Sequence, residues 1–273
     1  MKFIVSINEN KHFLPFIKII DWYYSNLKIQ IDILLITDNK KLIKKYKKNN
    51  NVIIFKPLKG YDSGIQSKML RHYYPLLKEE ETFVVTDIDQ FIINLNKLDI
   101  NKFNGKNITT FGKNLFDGTE LDGKTPMAPY ITTPNLTKNL FGVNKKLTFE
   151  EFMFKLTEIN NPIDGKESVQ NNFNEFSDES LFRLLKQNNN IEFHNIDKHF
   201  NVNGDRRIDR TVSWNIKNPN IGKYFWKRIY LTRKQKIDIR NMIYFDVCPP
   251  RPPNKLILKK ILSIAIKYQN LYL

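Results

Sequence analysis

Short apolar runs alternate with amphipathic runs along the N-terminal third of the chain. Continuous apolar runs predict buried strands, and apolar residues three and four positions apart predict helices between them. The predicted strands are 2–7, 31–37, 52–55 and a segment that begins at Phe83, and the predicted helices are 12–27, 40–49 and 67–77. Strands that alternate with helices form βαβ units. The pattern therefore predicts an α/β fold in which helices flank a mixed, mainly parallel central sheet.

The pattern is less regular in the rest of the chain. Further predicted elements are strands at 109–111 and 191–194, a long loop at 114–129, and helices at 147–158 and 177–187. The proline-rich run 249–253 blocks regular structure and predicts a stiff spacer, and a basic amphipathic helix is predicted from Asn254 onward. We therefore expect one domain over residues 1–248, followed by the spacer and helix over residues 249–273.

Two aspartates, Asp87 and Asp89, directly follow the strand that begins at Phe83. Residues two apart on an extended backbone point to the same side, so both carboxylates can be aimed at one point. Hard carboxylate oxygens suit Mg²⁺ or Mn²⁺, and these cations suit a diphosphate. The pair therefore predicts a metal site for a diphosphate-bearing ligand. The alternative is a solvated turn, where aspartate is common.

Cationic and aromatic side chains accompany this pair. Lys68 and Arg71 lie three residues apart in a predicted helix and share one face, where they are candidates for holding a diphosphate. Tyr61, in a segment predicted to be a flexible loop over residues 61–64, is a candidate for stacking on a base. Arg206 and Arg207 are candidates for closing over the diphosphate with their planar guanidinium groups. The alternatives are an exposed basic helix face for the first pair and a local ion-pair network for the second.

Composition limits the class of protein. The 273 residues are 41% hydrophobic, which is enough for a full core, and the single cysteine, Cys248, excludes an internal disulfide framework. The net charge of +16 favours polyanionic partners, although a chain rich in Lys, Asn and Ile acquires such a charge from composition alone. A nucleic-acid-binding protein or a metal-dependent nuclease is therefore the alternative function. Against it, the basic residues are spread along the chain and no nucleic-acid motif is found.

The N-terminal half resembles glycosyltransferases of the GT-A fold, the nucleotide-diphospho-sugar transferases. The matching pieces, within roughly residues 1–200, are 3–7, 33–38, 67–71, 84–89 with its Asp-X-Asp pattern, and 177–182 with an acidic pair that opens a helix. The resemblance implies a Rossmann-like GT-A fold. It also implies a metal-dependent enzyme that moves a sugar from a nucleotide sugar, with a UDP-sugar as the expected donor, to a hydroxyl of a glycan, glycolipid or other acceptor.

The resemblance also implies roles for particular residues. Asp89 would ligate the metal directly, Asp87 would reach metal-bound water or the ribose, and His199 would be a third metal ligand. Asp38 would contact the nucleoside, although an Asx turn explains it equally well. Asp178 and Glu179 would contact sugar hydroxyls and would act as the base in an inverting enzyme, or would orient the donor in a retaining enzyme. Acids in a first helical turn also complement the helix dipole without any further role.

The expected location follows from the same patterns. No apolar run approaches the ~20 residues of a membrane span, and the N-terminal apolar run is too short for a secretory core. The composition is similar to that of small glycosyltransferases of large DNA viruses or bacterial surface-glycan clusters. We therefore expect a cytoplasmic protein, in the host cell if the source is viral. The last helix either lies on an anionic membrane as a peripheral contact or packs on its own domain. Nucleic acid is not an expected partner.

Overall fold

The computed structural model describes most of the N-terminal half of the chain and parts of the C-terminal half. The described residues are 1–11, 13–92, 103, 105–110, 129–160, 185, 193–195, 244–246 and 255–269. The chain divides into two compact units. The first contains Met1–Glu9, Gln30–Asp87 and Phe103–Asp197, and the second contains Asn10–Ile29, Ile88–Lys102 and Lys198–Leu273.

A seven-stranded sheet forms the centre of the first unit. Its strands are β1 (Lys2–Ile7), β2 (Ile31–Ile36), β3 (Val52–Phe55), β4 (Phe83–Val85), β6 (Ile108–Thr110), β7 (Tyr130–Thr132) and β8 (Phe193–Asn195), in the order β3-β2-β1-β4-β7-β6-β8. Strands β3, β2, β1 and β4 are mutually parallel. Strand β7 is antiparallel to both β4 and β6, and β6 is parallel to β8. The predicted mixed, mainly parallel sheet is confirmed.

Helices connect the strands of the first unit. They are α2 (Lys40–Tyr46), α3 (Ser63–Tyr73), α4 (Pro134–Phe141) and α5 (Phe149–Asn160), with a 3₁₀ turn at Tyr74–Leu77. Polar side chains cap the backbone N–H groups that open these helices: Asn39 accepts hydrogen bonds at α2, Asp62 at α3 and Thr133 at α4. Helices α2, α3 and α4 therefore each begin directly after a short polar residue that caps the first turn.

The core of the first unit lies between its sheet and the helices α3 and α5. Ile4, Leu34 and Val85 of the parallel strands are fully buried, as is Leu70 of α3. Aromatic rings join the two helices, because the Tyr73 ring of α3 lies 5.3 Å from the Phe152 ring of α5, centroid to centroid. The apolar residues from which the strands are predicted are therefore the residues that form this core.

The second unit is built on helix α1 (Leu14–Asn26) and helix α6 (Lys255–Gln269), together with the antiparallel pair β5 (Gln90–Ile92) and β9 (Tyr244–Asp246). The Tyr23 ring packs edge-on against the Phe91 ring at 5.8 Å, and its hydroxyl donates a 2.6 Å hydrogen bond to the Ile92 carbonyl. Burial raises the pKa of both Tyr23 and its neighbour Tyr24 well above 10. These tyrosines stay neutral and anchor α1 to β5.

Helix α6 uses its apolar face inside the second unit. Leu258, Ile261, Leu262 and Ala265 are fully buried, and the helix contacts α1. The Lys259 ammonium group lies 5.7 Å from the centroid of the Trp22 ring, within range of a cation–π interaction. Because this face is covered by protein, the alternative of a peripheral membrane contact finds no support, and the helix packs on its own unit. No helix in the described part of the chain is both long and apolar enough to cross a bilayer.

Several predicted boundaries are confirmed and others are corrected. Strands β1 and β3 match the predicted 2–7 and 52–55. Helix α3 begins at Ser63 instead of residue 67, so the second half of the expected flexible loop 61–64 is helical. The helix predicted at 177–187 and the spacer at 249–253 lie outside the described residues, apart from Leu185, which is helical. The domain boundary at residue 249 stays a prediction.

Candidate functional site

The sheet of the first unit has a topological switch point beside β1. From β1 the chain proceeds to β2 and then β3 on one side, and it returns to the other side of β1 as β4. In open α/β sheets, a crevice lies at such a point, outside the carboxyl ends of the strands. Ligands of open α/β sheets bind in such crevices. The residues that follow β1 and β4 are therefore the first candidates for a site: Asn8 and Glu9, and Thr86 and Asp87.

Asp87 lies at this switch point and is held by an arginine. The Arg71 side chain, on α3, is 5% exposed, and its Nη1 donates to Oδ1 of Asp87, whose side chain is 45% exposed. The same nitrogen lies 3.5 Å from the Thr86 carbonyl oxygen. The Thr86 N–H in turn donates a 3.0 Å hydrogen bond to the Ile4 carbonyl, which ties the end of β4 to β1. The protein thus fixes one side of this carboxylate and leaves the other side to solvent.

Helix α3 is joined to the end of β1 by side chains that sequence analysis missed. The Ser6 hydroxyl donates to the Ser67 carbonyl, and Nδ2 of Asn8 donates to the Ser63 hydroxyl at 3.1 Å. These contacts place the start of α3 at the carboxyl end of the sheet, in register for Arg71 to reach Asp87. The signal for Asn8 was present, because it directly follows the first predicted strand.

The end of β2 carries Asp38, the predicted nucleoside contact. The buried Thr37 hydroxyl donates to Oε1 of Glu9, which joins the ends of β1 and β2. The cap of α2 is formed by Asn39, whose Oδ1 accepts from the Lys41 N–H at 3.0 Å. Asp38 itself is exposed between these two anchored residues. The side chain that caps α2 is therefore that of Asn39, and the nucleoside contact of Asp38 stays a prediction.

Lys68 and Arg71 differ although they lie three residues apart on α3. Lys68 is exposed, whereas Arg71 is buried against the end of β4.

Tyr61, the candidate for base stacking, precedes α3 and packs against the hydrophobic core of the first unit. Burial, and to a smaller extent the nearby Glu150 carboxylate, raises the pKa of Tyr61. Tyr61 also lines a cavity whose wall includes neither Arg71 nor Asp87.

Asp89 belongs to the second unit, where it immediately precedes β5 and is partly exposed. Asp178, Glu179, His199, Arg206 and Arg207 lie outside the described residues, so their predicted roles are not tested.

The donor chemistry at Asp87 suits a hard divalent cation. One carboxylate oxygen is held by Arg71, and the half-exposed group retains further acceptor capacity. Carboxylate oxygens are preferred ligands of Mg²⁺ and Mn²⁺. No cluster of three or more His, Cys, Asp and Glu side chains able to hold a metal occurs in the ranges that the structure describes. Asp87 therefore fits such an ion as one ligand of a set that needs others.

Comparison with known proteins identifies the fold. The structure is similar to the galactosyltransferase LgtC in complex with donor and acceptor sugar analogs, with a TM-score of 0.50, 8% sequence identity, and coverage of 97% of this chain and 95% of LgtC. It also matches the glycosyltransferase GlyE of Streptococcus pneumoniae TIGR4, with a TM-score of 0.45, 11% identity, and coverage of 97% of this chain and 62% of GlyE. The sequence matches neither a protein-family model nor a curated protein. The predicted GT-A fold is confirmed.

Proposed function

We propose that this chain is a metal-dependent glycosyltransferase that moves a sugar from a nucleotide sugar, with a UDP-sugar as the donor, to a hydroxyl of a glycan or another acceptor. The observation that carries the proposal is the half-exposed Asp87 carboxylate, held by the buried Arg71 at the switch point of a GT-A sheet. Crevices of this kind bind nucleotides in open α/β sheets. The neighbour LgtC, solved with donor and acceptor sugar analogs, supports the same function.

The proposed ligands of the divalent cation, Mn²⁺ or Mg²⁺, are Asp87, Asp89 and His199. When bound, the cation supplies positive charge that stabilises the departing nucleoside diphosphate. The chain's own part is to position these groups. Arg71 fixes the orientation of the Asp87 carboxylate before any ligand arrives, because its guanidinium group is itself immobilised by burial.

The remaining candidates have separate proposed roles. Lys68, Arg206 and Arg207 offer positive charge to the diphosphate, while Asp38 and Tyr61 are the proposed contacts of the nucleoside. Asp178 or Glu179 orients the sugar or accepts the proton of the attacking hydroxyl. In this proposal the protein forms no covalent bond to the sugar. The rate enhancement comes from positioning the two substrates and from stabilising charge on the leaving group.

A thermal-shift screen of nucleotide sugars with and without Mn²⁺ tests the proposal. A ligand that binds only the folded state raises the melting temperature, by an amount set by its concentration relative to Kd. At least one nucleotide sugar should raise the melting temperature in the presence of Mn²⁺, and Asp89→Ala should remove the shift. Glu80→Ala, which removes an exposed carboxylate in the first unit, is the matched control and should retain it.

The donor that shifts the melting temperature should then be consumed, with release of its nucleoside diphosphate. The proposal fails if no nucleotide sugar is bound or consumed.

A salt titration of binding to random DNA tests the alternative function, a nucleic-acid-binding protein or metal-dependent nuclease. Tight binding with a steep salt dependence would favour a nucleic-acid-binding protein.

A further inference from the structure

A cavity of about 650 Å³ lies in the first unit, away from Arg71 and Asp87 in its lining. Its walls are the turn before α3, the loop between α4 and α5, and the outward face of α5. Asn8, Glu9, Thr86 and Asp87, the described residues at the switch point, do not line it. The volume falls within the ~300–1,000 Å³ range of small-molecule sites in proteins. This cavity is therefore large enough for a ligand, and among the described residues proposed to contact the donor it shares Tyr61 but not Asp38, Lys68, Arg71 or Asp87.

Two aromatic side chains lie on the wall of this cavity. Tyr61 packs against the core of the first unit. Phe154, on α5, is 42% exposed, and Met1 is the only other exposed large hydrophobic side chain among the described residues. An exposed phenylalanine on the wall of a pocket offers a flat apolar surface at which a ligand can displace water. Such a surface fits the C–H-rich face of a sugar ring.

The charges around the cavity disfavour a polyanion as its ligand. Three carboxylates, those of Glu150, Glu151 and Glu158, line it against two ammonium groups, those of Lys145 and Lys155. This small acidic excess occurs in a chain whose net charge is +16. Carboxylates accept hydrogen bonds from hydroxyl groups and repel phosphates. The lining therefore favours a neutral, hydroxyl-rich ligand over a nucleotide.

Part of this lining is already rigid. Oε2 of Glu151 accepts a 2.6 Å hydrogen bond from the Thr148 N–H and a 2.9 Å hydrogen bond from the Thr148 hydroxyl, and its own N–H donates to that hydroxyl at 3.2 Å. This reciprocal capping box fixes the first turn of α5. The hydrogen bonds from Thr148 also lower the pKa of Glu151, so its carboxylate stays ionised. This part of the wall is therefore preformed, which reduces the cost of ordering it on binding.

We propose that this cavity binds a neutral glycan, with the sugar face stacked on Phe154 and the hydroxyl groups donating to Glu150 and Glu158. The inference rests on the proposed glycosyltransferase function, because such a glycan would be a non-reacting part of the acceptor. Binding energy from a remote part of a substrate helps to position the group that reacts. The cavity would thus set which acceptors the enzyme accepts.

Glycan binding by the full chain tests the inference. The probes are an array of immobilised neutral glycans, followed in solution by lactose, maltose and chitobiose. Phe154→Ala should weaken binding of the recognised glycan by about tenfold, since it removes the stacking surface. Phe154→Tyr keeps the ring and should restore binding. Lys146→Ala, an exposed neighbour of the lining residues that is not part of the wall, should bind as the wild type does.

The same variants separate this inference from the proposed function. Uridine diphosphate binding should be unchanged in Phe154→Ala, while the KM for the acceptor rises. If nucleotide sugars are not turned over but Phe154 still governs glycan binding, the glycan site stands and the transferase proposal fails. The glycan site is overturned if no neutral glycan binds, if Phe154→Ala binds as tightly as the wild type, or if anionic glycans bind more tightly than neutral ones.

Discussion

Two aspartates at opposite ends of the same sheet have contrasting environments. Asp32, at the amino end of β2, has a side chain that is 10% exposed. Its Oδ2 accepts a 2.8 Å hydrogen bond from the Tyr74 hydroxyl and lies 3.4 Å from the Lys2 ammonium group. Asp87, beyond the carboxyl end of β4, pairs with the buried Arg71 but is itself 45% exposed. Both are paired with a cation, yet only one remains open to solvent.

The difference separates a carboxylate that stabilises the fold from one placed to bind a ligand. At the amino end, the protein surrounds the acid with its partners, and burial strengthens their mutual attraction. At the carboxyl end, the cation is buried and the acid is left accessible, which preserves capacity for an added ion. Substitutions at Asp32 should therefore change stability, and substitutions at Asp87 should change binding.

The largest expected effect on stability comes from Asp32→Ala. The substitution leaves the buried Tyr74 hydroxyl without its acceptor and removes a partner of Lys2, so the free energy of unfolding should fall by about 3 kcal/mol. Urea unfolding followed by circular dichroism measures it. Asp38→Ala, which removes an exposed acid at the other end of β2, should cost less than ~0.5 kcal/mol. Equal effects of the two variants would show that Asp32 is not a structural anchor.

Arg71→Met should have a smaller effect on stability than Asp32→Ala. It removes the buried partner of Asp87, but that carboxylate is half exposed and can be hydrated, so the expected loss is about 1–2 kcal/mol. The same unfolding measurement applies. Lys68→Met, three residues earlier on α3 and exposed, is the matched control and should change stability by less than ~0.5 kcal/mol. A loss as large as that of Asp32→Ala would mean that both carboxylates are structural.

Tyr74→Phe should have the smallest effect and a distinct pH dependence. Removing the hydroxyl should cost about 1 kcal/mol near neutral pH. Burial, together with the hydrogen bond to Asp32, raises the pKa of Tyr74 above its usual value near 10. Its stabilising contribution is therefore fully present below about pH 10 and is lost as pH rises, because the unfolded state ionises first. The stability difference between wild type and Tyr74→Phe should shrink above about pH 10 in unfolding curves, and a constant difference would contradict this assignment.

Sequence reasoning succeeded where one local pattern decides the outcome. The apolar runs of β1 and β3 are continuous and bounded by polar residues, so their limits match the structure. It also placed Asp87 at the end of a buried strand. It assigned no element to β7, whose three residues lie between the predicted loop 114–129 and the helix start at Thr133 and Pro134. Their strand structure comes from pairing with β4 and β6, which the sequence does not show.

The burial of Arg71 could not be predicted from the sequence, because it too depends on contacts between distant residues. The helical spacing of Lys68 and Arg71 indicates a shared face, but which of them is buried depends on where α3 crosses the sheet. That position is set by the contacts of Ser63 and Ser67 with the end of β1. By contrast, α4 could have been predicted, because Thr133 as the cap and Pro134 at the first helical position are typical of a helix start.

Calorimetric titration of uridine diphosphate in the presence of Mn²⁺ tests the central claim most directly, with the wild type, Asp87→Asn and Asp32→Asn measured side by side. The wild type and Asp32→Asn should bind with similar affinity, because Asp32 lies at the other end of the sheet. Asp87→Asn should bind at least ~30-fold more weakly, equivalent to about 2 kcal/mol, while remaining folded. If Asp87→Asn binds uridine diphosphate and Mn²⁺ as tightly as the wild type, the carboxyl end of β4 is not the donor site.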